Sequence, residues 1–167
     1  MDLDVLKSTI KYIRSNDPNR FITLSFEFEQ TNEKLNCMFE EDIDFFFVGR
    51  QFAPTNGWAD VDDVLKGAAK KIKGEAYVIS IWGAGGSKIA RVSKGEIVAN
   101  SVHSVSSYPP PKVVDTCGAG DTYLAATIFD IVVNGSDPAS AIDFASRVAG
   151  AKVGISGYNE LAYWGNF

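Results

Sequence analysis

Leu3, Leu6, Ile10 and Ile13 recur at helical spacing, so residues 2–15 read as an amphipathic helix that Asn16-Asp17-Pro18 stops. Phe21 to Phe28 is rich in β-formers, with Glu27 interleaved near its end and Glu29 just past it, and reads as a strand. A short helix is expected around residues 33–39. Ile43 to Val48 is a near-continuous apolar run, the pattern of a strand buried on both faces of a parallel sheet. Val61, Val64, Leu65, Ala68, Ala69 and Ile72 form the next helical stripe, with Asp60 as its N-cap. Ala76 to Trp82 is a second buried strand.

After the turn Gly83-Ala84-Gly85-Gly86, residues 88–92 and 96–98 flank Ser93-Lys94-Gly95 and predict a hairpin. Tyr108-Pro109-Pro110-Pro111 is a stiff extended connector. Val113 and Val114 form a short β-branched segment, with Asp115 at the strand end. Residues 120–133 predict a helix with Leu124, Ile128 and Ile131 inward, ended by Asn134-Gly135. Asp137 and Pro138 open the last helix as N-cap and first residue, with Ile142, Ala145, Val148 and Ala149 on one face. No internal repeat, low-complexity segment or linker interrupts this series. Alternating strands and helices imply an α/β layered fold with a largely parallel sheet.

Composition changes this picture only by exclusion. The chain has 167 residues, 46% apolar and 22% charged, which suits one domain with a real core. A net charge of −5 argues against a broad nucleic-acid or anionic-membrane surface. No apolar run approaches the roughly 20 residues of a membrane span. The first residues are acidic and lack the apolar core of a secretory signal. Cys37 and Cys117 have neither metal nor disulfide spacing. These features predict a cytoplasmic protein, so Asn134-Gly135-Ser136 reads as a helix-ending loop and not as a glycosylation site.

The chemistry concentrates in Gly118-Ala119-Gly120-Asp121. A glycine turn opening a helix presents backbone N–H groups to an anion, and the helix dipole favours negative charge there. Asp121 stands at the same point and can accept a proton from an attacking hydroxyl. Phosphoryl transfer to an alcohol needs both parts. The plain alternatives are a tight turn and a helix cap. Gly83 to Gly86 read alone is a weak signal. A dinucleotide loop would need a helix after it, where a hairpin is expected, and the echo of a Walker A loop in Gly85-Gly86-Ser87-Lys88 lacks its upstream glycine. His103, the only histidine, reads as a strand-surface residue. Lys66, Lys70, Lys71 and Lys73 fall mainly on a polar helix face. Trp82 could line a pocket or the core, and Trp58 and Trp164 have no assignable task.

The run from Asp115 to Ala126, Asp-Thr-Cys-Gly-Ala-Gly-Asp-Thr-Tyr-Leu-Ala-Ala, resembles the C-terminal signature of the ribokinase-like (PfkB) carbohydrate kinases. Three further runs, Ile81 to Gly86, Tyr108 to Asp115 and Val148 to Gly154, are similar to those of the ketohexokinases within that family. The resemblance implies a three-layer αβα ribokinase-like fold and an ATP-dependent kinase acting on a small sugar such as fructose. It implies Asp121 as general base. The ionised form is favoured by the helix N-terminus, while burial under a sugar acts the other way. It implies Gly118, Ala119 and Gly120 as anion hole, and Gly83, Ala84, Gly85 and Gly86 as the loop beside the nucleotide. Mg²⁺ would arrive with ATP. The family's Asn-x-x-Glu metal motif is missing from residues 49–57, as it is from ketohexokinases. Asp115 has two candidate roles, helping to hold K⁺ or hydrogen bonding to the turn.

The resemblance covers the C-terminal, ATP-binding half of such a kinase. Residues 1–167 are therefore read as one partial domain, without the sugar-binding and lid half. Half a parallel sheet is expected to expose a strand edge and apolar surface. Marginal stability, or association as a homodimer or with a complementing chain, is the expected consequence. Two alternatives stay open: a non-catalytic nucleotide-binding remnant or interaction protein, and an adenosine- or ribose-type kinase differing only in its acceptor.

Overall fold

Aspartate caps set where the first helices begin. In the computed structural model Asp2 accepts hydrogen bonds from the amides of Asp4 and Val5 and opens helix α1, Leu3–Asn16. Asp60 does the same for α2, Val61–Ala69, through the amides of Asp62 and Asp63. The structure describes residues 2–29, 31–159 and 161. Trp164 lies outside them. Two units emerge, residues 2–80 with 90–102, and residues 81–89 with 103–161.

In the first unit, strand β1 is Ser25–Phe28 and strand β2 is Phe45–Gly49. They pair in parallel, from Ser25 opposite Phe45 to Phe28 opposite Val48. The expected strand start at Phe21 is corrected. The Asp17 carboxylate accepts from the amides of Phe21 and Ile22, and Asp44 accepts from that of Leu24. Those amides are diverted from a sheet ladder, and Arg20 just before them has φ 55°. Strand β3, Glu75–Ile81, follows α2, and the sheet order is β1-β2-β3-β4-β5. Strands β4, Ser87–Ser93, and β5, Glu96–Ile97, form the expected hairpin. Its central residues Lys94 and Gly95 both have positive φ, the twist a two-residue hairpin turn requires.

The core of this unit is aromatic. Phe28 stacks on Phe39 at 4.1 Å, with Phe46 and Phe52 tilted against them. Phe39 comes from the expected short helix, a 3-10 segment over Glu33–Glu40. Trp58 meets Phe39 and Phe52 edge-on, which gives it a core role.

The second unit holds β6, His103–Val105, paired antiparallel with the start of β4. It also holds α3, Ala119–Val132, and α4, Pro138–Val153, which pack along one another. Asp137 caps α4 and Pro138 is its first residue, as expected. Two expectations are corrected here. Val113 and Val114 are exposed and irregular, because the amides of Val114 and Asp115 both donate to the Val153 carbonyl instead of to a strand. On α3 the buried residues are Tyr123, Ala126, Thr127 and Asp130, while Leu124, Ile128 and Ile131 are only half-buried. That helix is apolar nearly all round, so periodicity has little contrast to read. Polar contacts choose the face. The Tyr123 hydroxyl donates to Ser87 Oγ at 2.7 Å, and Asn134 donates to Asp130 at 2.7 Å. Among the described residues, no helix is long and apolar enough to cross a membrane.

Asp44 ties α1 to β2 through Arg14 and Arg20. Its burial would raise its pKa. The Leu24 amide and the two guanidinium groups outweigh burial and hold it below 3.8. A depressed pKa stabilises the fold above the unfolded-chain value, and that contribution is lost as pH falls through the folded value. Asp44→Asn should therefore cost about 2 kcal/mol near neutral pH. The gap in Tm between variant and wild type, followed by thermal melting, should close below about pH 4.

Candidate active site

Helix α3 begins differently from the others. Its N-cap is Gly118, left-handed at φ 74°, and no side chain caps it. Where Asp2, Asp60 and Asp137 occupy the first amides of α1, α2 and α4, the amides of Gly120 and Asp121 have no acceptor among the described residues. Both residues are exposed. A helix of 14 residues thus presents bare N–H groups and the positive end of its dipole to solvent. The Asp121 carboxylate, third in the helix, takes no hydrogen bond or ion pair among the described residues.

The segment leading into this turn is held from below by Asp115. One carboxylate oxygen accepts from the Cys117 amide at 2.9 Å. The other accepts from Lys152 Nζ at 3.0 Å and from the Gly157 amide at 3.2 Å. Lys152 first, then the two amides, hold the Asp115 carboxyl below its usual range. Hydrogen bonding to the turn, one of its two candidate roles, is present. Tyr158 closes the other side. A Cβ at Gly118 would lie 1.6 Å from the Tyr158 hydroxyl oxygen, so this position needs glycine for both φ and space.

Gly83–Gly85 forms a 3-10 turn. It runs straight into β4, which removes the helix a dinucleotide loop requires. Gly86 has φ 83°, and a Cβ there would come within 2.3 Å of the Val105 carbonyl. This turn and the start of α3 line one cavity of about 340 Å³. Gly83, Ala84 and Gly86 contribute from the first, Ala119 and Gly120 from the second. Gly85 and Gly118 are not among its lining residues. The size falls within the roughly 300–1,000 Å³ of small-molecule sites, and the wall is mostly apolar.

Sequence reasoning missed much of that wall. Tyr108 and Pro109 of the connector, Tyr123 of α3, and Ser146, Gly150 and Val153 of α4 are part of it. Burial pushes the Tyr123 hydroxyl up to about 12, against its hydrogen bonds to Ser87 and Ser146. It remains a neutral donor. Tyr123 escaped notice because the apolar character of α3 hides which of its stripes faces inward; the signal available was the spacing of Tyr123, Thr127 and Asp130 along one side of a largely apolar helix. Trp82 does not line the cavity but packs near Gly85. His103 is exposed on β6, and the Cys117 thiol is exposed. A larger hollow of about 830 Å³ in the first unit is lined by Arg20, Asp42, Asp44, Glu75 and Arg91, but these charges already pair with one another.

Residues 35–162 match the pfkB family of carbohydrate kinases. The chain belongs to this family. It is 32% identical over 140 residues to the ketohexokinase of Mus musculus, an alignment covering 84% of this chain and 44% of that protein. Among solved structures, ribokinase from Giardia lamblia superposes with a TM-score of 0.71 at 20% identity, over 95% of this chain and 53% of the other. Adenosine kinase from Sinorhizobium meliloti gives 0.67 at 23%, over 95% and 48%. Arabidopsis thaliana ribokinase, complexed with ribose and ATP, gives 0.66 at 21%, over 90% and 47%. These likenesses show a ribokinase-like α/β fold. The chain spans about half the length of the relatives it matches.

Two glycines of the kinase-family turn separate shape from ligand contact. Gly118→Ala should cost about 1–3 kcal/mol through its left-handed φ and Tyr158, read as a lower Tm. A Cβ at Gly120 meets nothing within 4 Å, so Gly120→Ala should leave Tm unchanged or slightly raised. Were this turn to take an anion, the same variant would weaken pyrophosphate binding in calorimetry, because the added methyl group fills the open space in front of it. Unchanged binding would rule out close contact at Gly120.

Proposed function

We propose that this chain is the phosphate-handling half of an ATP-dependent sugar kinase of the ketohexokinase type. The observation that carries the reading is the uncapped start of α3, with Asp121 unpartnered among the described residues and Gly120 lining an apolar cavity. In this reading the nucleotide's base lies in the cavity against the Gly83–Gly86 turn. Its terminal phosphate meets the amides of Gly120 and Asp121.

The Asp121 carboxylate takes the proton of a ketose hydroxyl as that oxygen attacks the γ-phosphorus. The bond to the β,γ-bridging oxygen breaks and ADP leaves. Backbone N–H groups of the turn bear the charge that develops on the phosphoryl oxygens. Among the described residues, no group of three or more His, Cys, Asp or Glu side chains is placed to hold a metal ion. Mg²⁺ would reach the site on the nucleotide phosphates, supplying charge neutralisation there.

The cavity and the start of α3 taken alone also suit a second reading, a nucleotide-binding protein without turnover of its own. A coupled ADP-release assay with MgATP, with and without fructose, separates the two. Fructose-dependent release is expected, falling roughly 10²–10⁴-fold in Asp121→Asn while MgATP affinity by calorimetry is retained. MgATP binding without release in the wild type would favour the second reading. Parallel loss of affinity and turnover in the variant would remove Asp121 from the role of base.

A further inference from the structure

The Lys152 side chain is fully buried near the C-terminal end of α4. Burying an ammonium group is costly unless it is paired and hydrogen-bonded, and this one is both. Its Nζ donates to the Asp115 carbonyl at 3.1 Å and to Asp115 Oδ2 at 3.0 Å. The Tyr158 ring lies on another side, its centroid 5.2 Å from the nitrogen.

These are the oxygens a monovalent cation at Asp115 would use. Both carboxylate oxygens and the carbonyl already accept hydrogen bonds. A second cation would have to displace Lys152 from Asp115 or share its oxygens with a charge of the same sign, which repels it. The donor set does not fit K⁺.

We propose that the Lys152 ammonium is the resident monovalent cation of this site, so that the chain binds no exchangeable K⁺ there. Lys152 acts as a positioning residue. It fixes Asp115, whose other oxygen holds the Cys117 amide one residue before Gly118. The positive charge is then a permanent part of the fold beneath the anion turn. The inference rests on the phosphate-site reading only for the nucleotide arm of its test.

The test replaces KCl by tetramethylammonium chloride at equal ionic strength. Thermal melting and MgADP calorimetry are read on the chain and on Lys152→Met. A cation that binds the folded chain raises its Tm, so melting reports K⁺ whether or not nucleotide binds. Wild-type Tm and MgADP affinity should be the same in both salts. Lys152→Met should weaken MgADP binding roughly ten-fold in tetramethylammonium, as loss of a supporting group does. K⁺ should restore much of that loss and raise the variant's Tm, a response that a merely structural lysine would not create. A K⁺-specific rise in wild-type Tm or affinity overturns the proposal. So does a folded Lys152→Met that binds MgADP as the wild type does in both salts. If Lys152→Met does not fold, the wild-type salt exchange alone decides. Absence of MgADP binding in every salt would count against the phosphate-site reading and leave the melting result to decide on K⁺.

Discussion

The Asp115 carboxylate is the constraint on which the second unit's chemistry depends. It gathers the Cys117 amide ahead of α3, the ammonium near the end of α4 and the Gly157 amide beyond it. Three separate stretches of chain are thereby fixed around one side chain. The turn from Cys117 to Gly118 has its conformation imposed from behind, while the amides of Gly120 and Asp121 have no acceptor among the described residues. A rigid support with bare donors in front is the arrangement electrostatic preorganisation requires.

Where the sequence could be read, it was because local chemistry and tertiary packing agree. Asp60 and Asp137 cap the helices expected of them, and Lys94-Gly95 turns the hairpin. Where it could not, a carboxylate or carbonyl outside the expected strand intervened. The β-forming run at Phe21 loses its first residues from the strand because Asp17 and Asp44 capture three of its amides. Val113 and Val114 are turned onto α4 by the Val153 carbonyl. The inward face of α3 was hidden for another reason, since it is chosen by Tyr123, Thr127 and Asp130 against a background of apolar residues on every side. The site followed the same rule. The glycine turns and Asp121 were legible as a contiguous motif, whereas Lys152 acts on Asp115 across 37 positions and no spacing announces it.

Two aspartates six residues apart thus have opposite environments. Asp115 has every oxygen engaged, so proton transfer through it would break the support of the turn. Asp121 is exposed with no partner among the described residues. Of the two, Asp121 alone can exchange a proton without a structural cost. In the proposed function this difference separates a holding carboxylate from a reacting one.

The same division appears in how charge is placed along the cavity. Its wall is mostly apolar, and Gly120 brings the uncapped beginning of α3 to one part of it. A wholly apolar ligand would make no use of the N–H groups at the start of α3, and a small anion would leave the apolar wall wetted. A ligand with a flat apolar end and an anionic end satisfies both at once. The proposal of a nucleotide as ligand rests on this asymmetry as well as on the glycine turns.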